Sequence, residues 1–139
     1  MREIEFRGID IETGKWVFGD LHTLCDKPHI HTEKSKFPYA GKRSFVIQET
    51  IGQFTGLLDK NGKKIYDGDI IKHPYVDPIF RDLVETKEGD GVTSEVVFHD
   101  GAFVVKYDEN DFIYLDAFTR HGYVEVVGNI HDNPELIKK

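Results

Sequence analysis

Between Gln53 and Lys72 the chain reads QFTGLLDKNGKKIYDGDIIK, and this segment restricts the fold more than any other. Phe54 to Leu58 has strand character, Asp59-Lys60-Asn61-Gly62 is a turn whose Asn-Gly pair accepts positive φ, and Lys63 to Tyr66 returns antiparallel. Asp67-Gly68-Asp69 reverses the chain again before the apolar pair Ile70-Ile71 enters the next strand. Two reversals this close leave short strands, as a small, strongly bent barrel requires. Gly56 with Gly62-Lys63 is not a phosphate loop. Five residues separate the glycines where the motif has four, and Lys64 stands where Ser or Thr would bind magnesium.

The remaining pattern is also β. Ile4 and Phe6, then Ile9 and Ile11, alternate on either side of Gly8, where a bulge would restore the period. Glu12-Thr13-Gly14-Lys15 breaks the run and Trp16-Val17-Phe18 resumes it, so a hairpin is expected. From Leu21 to Arg43 the pattern fails and a long connection is expected, carrying at most a short strand, before SFVIQ (44–48) recovers one. Pro74 to Gly91 reads as an exposed acidic excursion with a short helix starting at Pro78. SEVVFHDGAFVVKY is the clearest hairpin, turning through His99-Asp100-Gly101. Phe112 to Phe118 fits a helical turn or a short strand equally. Tyr123 to Val127 is a final strand, ended by Gly128-Asn129, and Asn133-Pro134 closes a tail with a short helical turn at most.

At 139 residues, 39% of them hydrophobic and 31% charged, the chain is long enough for one core. Cys25 is the single cysteine and no basic-then-apolar leader opens the chain, so a cytoplasmic location is expected. No apolar run approaches the roughly 18 residues of a membrane span. Residues 1–74 carry 12 Lys/Arg against 11 Asp/Glu, and residues 75–139 carry 6 against 14, so the second half holds the excess of the net charge of -7. Such a surface repels phosphates, and a hold on nucleic acid would need a local basic patch.

FTGLLDKNGKKIYDGDIIK, the opening MREIEFRGID, the arms around VVFHDGAFVVKY and the closing VEVVGNIHDNPEL together resemble the YopX-like proteins encoded by bacteriophages and prophages. The four blocks lie in family order almost from end to end. The resemblance implies one mainly β unit over residues 1–139. Within it, an N-terminal β region and loop (1–48) would precede an SH3-like small barrel (49–139) of short antiparallel strands with few short helices. It supplies no catalytic residues, and it gives no anchor for the His-containing loop 22–31 or the excursion 75–91.

His22, Cys25, His29 and His31 (H-x2-C-x3-H-x-H) would be the ligands if zinc binds, but the spacing matches no common zinc template, so the expectation is no metal and no cofactor. Cys25 lacks a motif that supplies a base and an orienting group, and Asp67 and Asp69 read better as turn residues than as an acid-base pair, so no catalytic residue is assigned. Lys60, Lys63, Lys64 and Lys72 around Tyr66, with Lys34, Lys36, Lys42 and Arg43 near Tyr39, could track a nucleic-acid backbone and stack a base, although Asp59, Asp67 and Asp69 dilute the patch. Aromatic strands, exposed edges and an acidic second half suit a protein partner or a second copy better. The expectation is a non-enzymatic protein-interaction or self-assembling module, a homo-oligomer among the options, and the alternative is a nucleic-acid-binding module.

Overall fold

In a computed structural model, residues 2–32, 43–74, 91–106, 111–120 and 122–137 are described below. The expected helix starting at Pro78, and Lys34, Lys36, Tyr39 and Lys42, lie outside them. The chain forms two compact units, Met1–Gly56 and Leu57–Lys139.

In the first unit, β1 (Phe6–Ile9) and β2 (Trp16–Leu24) form the expected hairpin, with Ile9 opposite Trp16. Its turn is closed by Asp10, whose Oδ1 accepts from the backbone N–H groups of Glu12 (2.8 Å) and Thr13 (3.0 Å). The bulge expected at Gly8 is absent, since the register runs unbroken from Phe6 to Ile9. Gly8 answers instead to a close approach: a Cβ there would lie 2.9 Å from Cβ of Val46.

The described part of the stretch expected as a connection, Leu21 to Thr32, is mostly strand. β2 continues to Leu24 and turns through Cys25 and Asp26 into β3 (Lys27–His31). Both turn residues have positive φ (50° and 63°), as a two-residue hairpin loop matched to strand twist requires. β4 (Arg43–Phe45) pairs with β3. Just beyond it, Val46 bridges Asp10, while Ile11 N–H donates to Phe45 O and Ile47 N–H to Ile9 O, both at 2.9 Å, tying the end of β4 back to β1. A 3-10 turn at Gln48–Thr50 follows, in which Thr50 Oγ1 donates to Ile47 O (2.6 Å) and accepts from Ile9 N–H (2.9 Å). β5 (Gly52–Leu58) pairs antiparallel with β1, and β6 (Lys64–Tyr66) follows it in the strand order. The first sheet has the order β4-β3-β2-β1-β5-β6. Ile30, Val46 and Phe54 are buried on it.

In the second unit the two reversals fall where the sequence places them. The turn at 59–62 leads into β6, and Asp67-Gly68 leads into β7 (Asp69–His73), with Asp69 Oδ2 accepting from Tyr66 N–H at 2.8 Å. β8 (Val92–His99) and β9 (Ala102–Lys106) are the strong hairpin, turning at Asp100 and Gly101, both at positive φ. The ambiguous stretch is strand and helix in succession: β10 (Phe112–Tyr114) runs directly into α1 (Leu115–Thr119). Leu115 and Phe118, three apart on α1, are both fully buried, which is what helical spacing does for an i, i+3 pair. β11 (Glu125–Asn129) starts later than expected and includes Gly128-Asn129, with an irregularity between Val126 and Gly128. Pro134–Leu136 is the expected final helical turn.

The second sheet has the order β10-β9-β8-β7-β11. Ile65, Ile71, Val96, Val105, Leu115, Phe118 and Val124 form its core, all without exposed surface. Burying each such side chain contributes about 1.5–3 kcal/mol, so this cluster anchors the unit. The mainly antiparallel β class is therefore observed, with α1 the only α-helix among the described residues. Neither sheet closes on itself through the described strands, so the SH3-like barrel is not shown. No described helix is long and apolar enough to cross a membrane.

Candidate functional site

The pairing of β2 with β3 assembles side chains that the sequence only spaces. His22 lies directly opposite His29, Asp20 opposite His31, and on the far side of β3 Phe45 of β4 lies opposite His29. Strand residues two apart share a face, so His29 and His31 join His22 on one side of the ribbon. The ring centroids are 4.4 Å apart for His22 and His31, 4.9 Å for His29 and His31, and 5.7 Å for His22 and His29. His29 Nε2 and His31 Nε2 are 3.0 Å apart. The opposite face carries buried Ile30 and Ser44, which fixes the ribbon and thereby the imidazole face.

His29 sits at the centre of this group, only 4% exposed between its neighbours and the tilted ring of Phe45, at 5.4 Å. Burial is the main reason that its pKa is lowered, and His31, Arg43 and His22 push the same way, against the backbone carbonyl of Lys27. Its Nδ1 is buried without a hydrogen bond. His22 is exposed and His31 half-buried. Of the four residues singled out in sequence, three are thus brought together. Cys25 is at the exposed hairpin tip, where it is a free thiol.

The basic residues of the second unit differ in exposure and in their neighbours. Lys60 and Lys63 are exposed in the 59–62 turn and at its exit, and Lys64 is half-buried on β6. Lys72 lies on β7 opposite Glu125 of β11, and Glu125 also pairs with Lys60 at 3.4 Å. A carboxylate therefore stands between two of the lysines. Tyr66 is 4% exposed, so its ring does not offer a stacking face to solvent.

His73 and Ser94 form a second polar constellation that the sequence did not reveal, because they are 21 residues apart on neighbouring strands. Ser94 Oγ is 2.7 Å from His73 Nε2, and the carbonyl of Pro74 is 2.8 Å from Nδ1. The network assigns the proton to Nδ1, which donates to Pro74, so Ser94 donates to Nε2. Hydroxyl, imidazole and orienting acceptor follow the order of a nucleophile with its base. Both residues are almost wholly buried, however, and the ring packs against Phe118 at 4.7 Å. The arrangement satisfies buried polar groups rather than presenting a reactive oxygen.

These features define a protein of two compact β units with an imidazole cluster on an outer hairpin of the first. The family model described as YopX protein matches residues 5–138, and the chain belongs to that family. Its fold is similar to the crystal structure of protein EF1440 from Enterococcus faecalis, with a TM-score of 0.58 at 23% identity, covering 99% of this chain and 100% of that one. It is also similar to the crystal structure of protein yopX from Bacillus subtilis, with a TM-score of 0.58 at 19% identity, covering 97% and 96%. No curated protein sequence matches the chain.

Proposed function

We propose that the chain is a non-enzymatic interaction module, of phage type and cytoplasmic, that acts by pairing a strand with another polypeptide, a second copy of itself first. The observation that carries this reading is the contrast between the two edges of the second sheet. On β11, Val126 N–H donates to Asp59 Oδ2 (3.1 Å), and just before the strand Val124 O accepts from Lys60 N–H (2.8 Å), so the 59–62 turn lies along the start of that edge. At the other edge is β10, whose residues Phe112-Ile113-Tyr114 carry no charge, with Tyr114 65% exposed. Edge strands are usually guarded by charge, proline or a covering loop, and an apolar one templates strand addition. The alternative, binding of nucleic acid through Lys60, Lys63, Lys64 and Lys72, is disfavoured by Glu125 between two of those lysines and by the burial of Tyr66.

Light-scattering mass on a size-exclusion column, at low and high salt and with mixed short DNA and RNA oligonucleotides, tests the reading. A discrete oligomer indifferent to oligonucleotide, reduced to monomer by Tyr114→Lys, is expected. A monomer that gains mass only with oligonucleotide at low salt would transfer the function to the lysines.

A further inference from the structure

We propose that the imidazoles of His22, His29 and His31 bind one divalent transition-metal ion of the zinc class on the outer face of the β2–β3 ribbon. Two nitrogens 3.0 Å apart, as His29 Nε2 and His31 Nε2 are, must either share a proton or flank a cation. Zinc takes imidazole nitrogen at about 2.0–2.1 Å in tetrahedral geometry, which places two ligand nitrogens about 3.3 Å from each other. The pair is therefore within a few tenths of an ångström of a two-nitrogen clamp before any metal arrives. Strand geometry holds it there, because residues 29 and 31 share a face and that face is fixed by Ile30 packing on the other side.

The third ligand is His22. As they stand, no three His, Cys, Asp or Glu side chains among the described residues are placed to hold a metal ion, so the site needs His22 to move. His22 is exposed, stands opposite His29 and has its ring 4.4 Å from that of His31, so a rotation about its side-chain bonds brings a nitrogen to the clamp. Exposed rings make such moves at little cost. A metal also accounts for the unusual proximity of three imidazoles, since ligated rings are neutral and repulsion between imidazolium charges is removed. With both Nε2 atoms on the metal, His29 Nδ1 carries the ring's proton, and that buried atom makes no hydrogen bond that would hold it in another tautomer. Asp20, opposite His31, lies on the same face and is exposed, beside the position left for water or a fourth ligand. Cys25 takes no part, because it sits at the turn beyond Leu24 and Lys27 rather than on the imidazole rows. An open coordination position of this kind suits a labile ion or an ion shared with a partner.

The test is titration of the tag-free full chain with zinc chloride at pH 7.5, with cobalt chloride as a spectroscopic probe. One equivalent of zinc is expected, with a rise in Tm and a cobalt spectrum free of thiolate charge transfer. His31→Gln and His22→Gln should each weaken zinc at least about tenfold, as loss of one of three ligands requires. Cys25→Ser should bind like the parent chain. Because His22 is exposed, His22→Gln keeps the native fold and its result reads the site directly. No binding with zinc in tenfold excess would overturn the assignment. So would undiminished affinity in His22→Gln, or a cobalt–thiolate band that disappears in Cys25→Ser.

Discussion

The carboxylate of Asp59 reaches across 67 positions of sequence to accept the backbone N–H of Val126 at 3.1 Å, while its other oxygen accepts from Asn61 and Lys63 at 2.8 and 2.9 Å. One buried side chain thus holds a hairpin turn together and fastens it along β11. Burial alone would raise its pKa, but those three N–H groups and the Lys63 charge outweigh burial and lower it.

Asp59→Ala should therefore cost about 1–3 kcal/mol, since three part-buried backbone N–H groups lose a charged acceptor. Asp59→Asn should cost less, because an amide oxygen can still serve Asn61 and Lys63 while the Val126 N–H then faces an NH2 group. Urea denaturation of the two variants checks the order. The sign with pH also follows. A lowered folded-state pKa gives stability that is present above the unfolded value of about 3.8 and is lost as pH falls through the folded value. Equal stability of Asp59→Ala and the parent chain at pH 7 would remove the turn from its role as a fastener.

Much of this was legible where conformation is decided locally. Asn61-Gly62 and Asp100-Gly101 announce their turns because residues that tolerate positive φ stand between β-branched and aromatic arms. Cys25-Asp26 lacks the glycine that marks the other two turns, and there the cross-strand pairing from Asp20 to His31 imposes positive φ on Cys25, which tolerates it poorly, so the sequence does not announce this hairpin. The same gap hid the imidazole cluster, since the i, i+2 pair is visible in sequence but only the register places His22 opposite His29. Phe112 to Phe118 looked ambiguous because it is two elements in succession. Tyr66 looked like a stacking platform, and only tertiary packing decides that it faces inward.

The Cys25-Asp26 turn yields a gain-of-stability prediction. Replacing it with Asn-Gly (Cys25→Asn with Asp26→Gly) keeps the positive φ at both positions and removes the cost of holding other residues there. An increase of about 0.5–2 kcal/mol is expected, read as a higher Tm. A lower Tm would mean that the two side chains make contacts worth more than the backbone strain.

Gly19 makes the opposite point within β2. A Cβ at this position would overlap the carbonyl oxygen of His31, a backbone atom that cannot swing away. Gly19→Ala should push β3 from β2 and cost about 3 kcal/mol or more, beyond the usual effect of a surface substitution. Circular dichroism melts would show it. Because His31 moves with that carbonyl, the same variant should also weaken zinc binding, whereas an unchanged Tm would show that the strands separate freely there.

His73 supplies the clearest pH signature in the second unit. Burial first, only partly offset by the Pro74 carbonyl, lowers its pKa from 6.5, so as pH falls the unfolded chain takes up the proton before the folded chain does. Its contribution is thus whole above about pH 6.5 and declines below it, by at most about 1.4 kcal/mol per pH unit. Glu95 acts in the other direction. Burial raises its pKa from 4.5 despite Lys106, with Asp67 adding to the rise, so it favours the folded chain at low pH and loses that advantage as pH climbs through the raised value. The two effects overlap in mildly acidic solution, and a variant is needed to separate them. His73→Gln removes one titration while leaving Glu95 in place, and the difference in stability between parent and variant should shrink steadily from pH 7 to 5.5 as the parent loses ground. Parallel stability curves over that range would show that the imidazole takes up its proton as readily when folded as when unfolded, which the buried Ser94 and Phe118 contacts forbid.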